Sequence, residues 1–456
     1  MRFAGAGPSS SGWSRLGAVA AAVTVVPAVV RRPQNGLLAL AALTPFDGLL
    51  QLVPRGGLLA GWKEALLLLT LAVAVVRGRR DASSLQGRHL PWWPALVALV
   101  VAGSVSALVT AGLLGVLAIK ITFFWTLALA VLWCAPLTAS DRDRLVSVLM
   151  GVGVVTALVG LAQQAVGAQF LVDLGYRYNE EVRFAGGYLR SFSTFVQPFP
   201  FALYLVLCLL VGGAVALAEP RRTRNALFLL ATPLLVVGMA TSIVRAGALA
   251  LVVGVVWLVV LRDWRWLWAV AAAGVSGVVA LVFLSSEGAV GAALSPTSLL
   301  QRTSSWSQAL TDIAGAPFGH GLGTSGSAAQ RIATAAGDIA PTDQPDNYYV
   351  KVLLELGPLG LWLFVLLLVS ALWWTARLSR SLTGRDAALA LGVSASVASV
   401  VASSVVATYF EIFPLDYYFW VLLGGVACAA AQADRGGTSG EPSPAASLVT
   451  APSSPA

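Results

Sequence analysis

The chain has 456 residues, of which 57% are hydrophobic and only 11% charged, with a formal net charge of +8 and a mean hydropathy of +0.81. Soluble domains carry about 25% charged residues, so this composition excludes a chain whose surface is mostly bathed in water. The basic excess does not point to nucleic acid either, because the arginines lie in short clusters between apolar runs and form no continuous stripe.

A membrane-spanning helix needs roughly 20 apolar residues. In chain order the candidates are 16–30, 36–53, 58–76, 92–110, 112–134, 145–167, 198–218, 225–241, 246–261, 266–284, 346–370, 387–407 and 417–433. The first two are short and contain Pro27, Pro45 and Asp47, so one of them is expected to be re-entrant or interfacial. The expected fold is therefore all-α, a polytopic bundle of about 12–13 spans. Arg2 and Arg15 precede the first stretch with no small-residue cleavage site after it, which reads as a retained anchor.

Lys/Arg bias sets the expected orientation. The basic segments at 31–35, 77–89, 141–144, 219–224, 262–265 and 377–385 fall on one side together with the tail, and hold 17 of the 29 basic residues. That side is expected to be cytoplasmic. Residues 1–433 then form the membrane domain, and 434–456, low in complexity, a disordered cytoplasmic tail. Two long segments, 168–197 and 285–345, remain on the outer side. Their aromatic content argues for order. Trp306, Ala309, Leu310 and Ile313 are at helical spacing, as in a short amphipathic helix along the membrane.

Arginines on the outer side oppose the topological bias and need another reason to be there. Arg177, Arg183 and Arg190 lie in the first long segment, Arg245 in a very short turn, and Arg302 and Arg331 in the second segment. A guanidinium forks two donors onto phosphate oxygens at any relevant pH; alternatively each is a solvated or snorkelling charge. Asp346 and Asn347 open the eleventh candidate helix, where an acid also serves as an N-cap. Glu355 lies deeper and is either a functional carboxylate or a structural partner of Lys351. Lys120 is similarly open to two readings, and Lys63–Glu64 reads as an interfacial pair. Cys134, Cys208 and Cys428 lie in apolar runs, and His89 and His320 are far apart, so no metal site is expected. No GxxxxGK[ST] or HExxH occurs, and no cofactor is expected.

Four islands carry a family resemblance. They are LRSFSTFVQPFPFALYL (189–205), TSIVRAGALAL (241–251), RTSSWSQALTDIAGAPFGHGLGT (302–324) and PDNYYVKVLLELGPLGLWLF (345–364). In this order they resemble the bacterial O-antigen ligase and O-antigen polymerase superfamily of membrane glycosyltransferases. Ser193 stands where the family has glycine, and Asp346 where ligases have histidine. The resemblance implies a metal-independent inverting glycosyltransferase facing outward from the bacterial cytoplasmic membrane. Its donor would be an oligosaccharide linked to undecaprenyl diphosphate, and its acceptor a glycan, glycolipid or protein. It implies Asp346, Arg245 and Arg302 as the catalytic group. Arg190, by a further motif match, joins Arg183, Asn347, Glu355 and Lys120 as substrate-binding candidates. The alternatives are a transporter or flippase of lipid-linked glycans, for which no internal repeat speaks, and a peptidoglycan polymerase of related fold.

Overall fold

A computed structural model describes residues 24–52, 61–78, 90–262, 306, 311, 313, 315–338 and 345–438. The expected span at 266–284, the first part of 16–30, most of the amphipathic stretch around Trp306 and the tail beyond 438 lie outside those residues. The helices are α1 (Gln34–Leu43), α2 (Trp62–Gly78), α3 (Trp93–Ala111), α4 (Gly115–Phe123), α5 (Leu127–Cys134) and α6 (Ala139–Asp173). After a small hairpin come α7 (Pro198–Leu207), continued through a π-turn into α8 (Gly213–Ala218), α9 (Thr223–Thr241) and α10 (Arg245–Arg262). The last four are α11 (Gly326–Ala336), α12 (Tyr348–Ser381), α13 (Gly384–Ser403) and α14 (Leu415–Thr438). Among the described residues, seven helical stretches are long and apolar enough to cross a membrane. The all-α expectation holds.

One of those stretches, Trp93–Cys134, is 42 residues long, but it doubles back. Gly112 has φ +54, the Trp93 ring stacks on Trp133 at 5.7 Å, and a Cβ on Gly103 would meet the Phe123 ring at 2.7 Å. Only an antiparallel hairpin brings those pairs together, so the stretch is two helical arms over the segments expected at 92–110 and 112–134. The candidate at 36–53, one of the two of which one is expected to be re-entrant or interfacial, is not a continuous helix. It is helical to Leu43 and then a 3-10 turn over Thr44–Leu52. There Asp47 accepts from Trp62 Nε1 (3.0 Å) and pairs with Lys63 (2.5 Å). Glu64 reaches the other way, to Lys120 at 2.8 Å. The expected Lys63–Glu64 pair is therefore corrected: neighbours on a helix point in different directions and do not face each other.

The centre of the bundle is the α7–α8 stretch, α13 and α14, the last buried throughout residues 415–431. α13 is rich in Ala, Ser, Gly and Val, which lets backbones approach closely. Ser399 Oγ donates to the Ala250 carbonyl (2.5 Å), and Trp257 Nε1 donates to Ser394 Oγ (2.9 Å). These contacts set α10 antiparallel to α13.

One end of the bundle is fastened by ion pairs between distant segments. Arg32 meets Asp141 (3.0 Å), Arg142 meets Asp386 (2.7 Å), Arg222 and Arg224 share Asp143 (2.8 and 2.9 Å), and Arg385 meets Glu219 (2.7 Å). Asp141 also completes a capping box with Thr138 at the start of α6. The hydrogen bond to Asp143 raises the Arg222 pKa above its ordinary value. The expected segments at 31–35, 141–144, 219–224 and 377–385 thus lie together in space.

Candidate functional site

At the opposite end, the segment RFAGGYLR folds as a two-stranded hairpin, β1 (Arg183–Ala185) and β2 (Tyr188–Arg190). Gly186 and Gly187 both have positive φ (56° and 83°), the backbone that a two-residue primed turn requires. Leu171, Tyr176, Val182, Leu189 and Phe192 give this region its own small core. Burial, and then the Glu181 carboxylate, push the Tyr176 pKa up to about 12, so its phenol stays neutral.

The register sets Arg183 directly opposite Arg190. Opposed residues in such a pair have Cβ atoms about 4.5–5.5 Å apart, and like charges there are destabilising. Both side chains are half-buried, and among the described residues neither has a carboxylate partner. Arg183 Nε donates to the Glu180 carbonyl (2.7 Å), and Arg190 Nε donates to the Ser242 carbonyl (3.1 Å). Burial, and then the Arg183 guanidinium, hold the Arg190 pKa below the usual arginine value.

The strand that carries Arg190 is held from below by two glutamines in α6. Gln163 accepts from the amides of Phe192 (3.1 Å) and Ser193 (2.7 Å) and donates to the Ser193 carbonyl (2.8 Å). Gln164 donates to the Leu189 carbonyl (2.8 Å) and to Ser191 Oγ (2.7 Å). Ser193 has φ +55, a left-handed conformation that glycine adopts without strain. In this chain the Gln163 bonds and a Ser193 Oγ bond to the Thr156 carbonyl (2.6 Å) hold the serine there.

The hairpin is joined to the turn before α10. Besides the Arg190 bond, Ser191 N donates to the Thr241 carbonyl (3.0 Å). Arg245 follows that turn as the first residue of α10 and is exposed. It stands five residues, about 7.5 Å, beyond Ala250, at the level of the Ser403–Ser404 end of α13. Tyr348 N donates to the Ser404 carbonyl (2.8 Å), which sets Asp346 at the same end. Asp346 is exposed, and it is not the helix cap. Asn347 is: its buried side chain accepts from Tyr349 N (2.9 Å) and Val350 N (3.2 Å). The capping role that could have accounted for Asp346 belongs to its neighbour.

Glu355 is 1% exposed. It pairs with Lys351 at 2.5 Å and accepts from the amides of Gly323 (3.0 Å) and Ser325 (3.2 Å). Sequence had left a functional carboxylate and a structural pair equally open, and the geometry is that of the pair. α12 is interrupted just beyond, where Gly357 has φ 68 and Pro358 follows. Proline lacks the amide that would bond back to Leu354. His320 N takes the Leu354 carbonyl instead (2.8 Å), and Gly321 N takes that of Glu355 (2.9 Å). The glycine turn therefore patches a broken helix.

Lys120 is exposed and paired with Glu64. Arg302 lies outside the described residues. Sequence reading overlooked the hairpin, the Gln163–Gln164 pair and Glu411. The signals were present: Ala-Gly-Gly-Tyr between short strand-like runs, two amides deep in an apolar helix, and a carboxylate between two apolar segments. Among the described residues no cluster of His, Cys, Asp and Glu could hold a metal ion.

These features define a polytopic α-helical membrane protein with opposed arginines and an exposed acid gathered at one end. Residues 226–365 match the family model described as O-antigen ligase. The match supports the O-antigen ligase superfamily, and with it a ligase- or polymerase-type function in surface polysaccharide synthesis. It includes Arg245, the glycine turn and Asp346, and stops short of the 183–190 hairpin and Glu411 on either side. No curated protein matches the chain.

Proposed function

We propose that the protein transfers or polymerises an oligosaccharide carried on undecaprenyl diphosphate, at the outer face of the bacterial cytoplasmic membrane. The observation that carries this reading is the Arg183–Arg190 pair, opposed across the hairpin and bonded to the turn that leads into Arg245. A diphosphate would offset the repulsion between the two guanidiniums. Arg245, at the N-terminal end of α10, adds the positive end of a helix dipole. Arg302 is a further ligand by family resemblance alone.

Asp346 orients the acceptor hydroxyl and accepts its proton as the hydroxyl oxygen attacks the anomeric carbon of the donor. The bond from that carbon to the diphosphate oxygen breaks on the opposite face, and the electron pair leaves with the diphosphate. The anomeric configuration inverts. The arginines stabilise the charge that develops on the leaving group, the task a divalent ion performs in other diphosphate chemistry. Much of the contribution from Asp346 is positioning of the acceptor.

The test uses purified protein with a lipid-linked repeat unit and an acceptor. Arg245→Ala and Asp346→Ala should each abolish glycan transfer while still reaching the membrane at wild-type levels. Wild-type transfer by both would overturn the assignment. Movement of the lipid-linked glycan across a vesicle membrane without a new glycosidic bond would favour a flippase.

A further inference from the structure

Three charged side chains are buried together where the glycine turn meets α12. Lys351, Glu355 and Glu411 have side chains only 1–4% exposed. Lys351 Nζ is 2.5 Å from Glu355 and 3.2 Å from Glu411 Oε1. The second contact is close in distance but not aligned as a hydrogen bond. The three residues come from two separate stretches, α12 and the 3-10 turn Tyr409–Glu411 beyond α13, and a third stretch is fastened between them. Gly323 and Ser325 donate their amides to Glu355, and Ser327 N approaches Glu411 Oε2 at 3.5 Å.

Burying three charges costs desolvation energy that only close pairing and further hydrogen bonds offset. A well-packed apolar trio of similar volume would stabilise the fold as well or better. The turn itself is built around the charges. Gly326 has φ +70, and a Cβ there would lie 2.8 Å from both Glu411 Oε2 and Lys351 Cε. Gly321 and Gly323 also have positive φ (107° and 92°), and a Cβ on them would meet Thr110 and Ala118, which seats the turn against its neighbouring helices. Lys351 N donates to the Asn347 carbonyl (3.0 Å), so the lysine sits on the same helical turn as the cap beside Asp346.

We propose that Lys351, Glu355 and Glu411 form a buried ionic clamp that positions the glycine turn 319–327 against the first turns of α12, in fixed register with Asp346. Lys351 is its central positioning residue. The clamp contacts no reacting atom. Its effect on transfer rests on the function proposed above, whereas its hold on the turn does not.

The experiment compares full-length wild-type protein, the charge-free variant Lys351→Met/Glu355→Gln/Glu411→Gln, and Glu411→Gln alone. Two quantities are read: hydrogen exchange of the amides at 319–327, and kcat and KM for a lipid-linked donor. The charge-free variant keeps the shape of the site and should melt near the wild-type temperature. Its turn amides should exchange at least about tenfold faster, and kcat should fall about tenfold or more with donor KM within about twofold. Glu411→Gln keeps the Lys351–Glu355 pair and should speed exchange at Ser327 while Gly323 and Ser325 stay protected. Wild-type protection and kcat in the charge-free variant would overturn the clamp. So would equal release of all three amides by Glu411→Gln, which still reports if the charge-free variant does not fold. Failure of wild-type protein to transfer glycan would count against the proposed function alone, because the exchange readout still tests the clamp.

Discussion

One end of the bundle is tied by ion-paired arginines; at the other, Arg177 pairs with Glu180 and Glu181 (2.9 and 3.6 Å), while Arg183 and Arg190 oppose each other instead. At one end Arg32, Arg142, Arg222, Arg224 and Arg385 each meet a carboxylate from a distant segment, and the pairs tie the helices together. At the other end Arg183 and Arg190 face one another and, among the described residues, bond only to carbonyls. A matched arginine has its electrostatic need met inside the fold. Two opposed, half-buried guanidiniums have a need that an anion can meet. The same side chain therefore serves structure at one end and, in the proposed site, recognition at the other.

This contrast can be broken or sharpened by substitution. The largest expected loss of stability is at neither set of arginines but in the support beneath the hairpin. Gln163→Leu would strand the Phe192 and Ser193 amides and the Ser193 carbonyl, and should cost about 3–4 kcal/mol, read as a lowered melting temperature in detergent. Arg142→Ala should cost about 3 kcal/mol in the same measurement, because it removes a buried side chain bonded to Asp386, Gln432 and the Leu137 carbonyl. The half-exposed Arg385–Glu219 pair should give less than about 1 kcal/mol when Arg385 becomes alanine. Arg183→Ala should leave stability unchanged or raise it by about 0.5 kcal/mol, by relieving the like-charge pair, while weakening donor binding. A loss of stability at Arg183 as large as that at Arg142 would erase the distinction between the two ends.

Much of the architecture was legible in sequence because the bilayer imposes it. Span length and Lys/Arg bias follow from the thickness and polarity of the membrane, and the ion-pair network brings four of the basic segments to one end. The finer errors have equally physical origins. Lys63 and Glu64 are adjacent in the chain, but adjacency on a helix separates them, and each found a partner on another element. The hairpin was hidden because its strands are three residues each, too short for an alternating pattern to stand out. Glu411 was overlooked because nothing near it in sequence reveals its partners; Lys351 lies 60 positions away and meets it only after α12 and α13 pack together. Gln163 and Gln164 could have been found by asking which buried amides a membrane helix tolerates and why. Asp346 was identified as unusual, and the fold makes it more so, since Asn347 takes the cap.

The central claim is that the opposed arginines form an anion site for the diphosphate carrier. Its most direct test is a binding titration of undecaprenyl diphosphate, without sugar or acceptor, against detergent-solubilised wild-type protein and Arg190→Ala. The account predicts at least a tenfold weaker affinity for the variant, about 1.4 kcal/mol or more, at an unchanged melting temperature and with steeper salt dependence in the wild type. Equal affinity in the two proteins, with both folded, would contradict it.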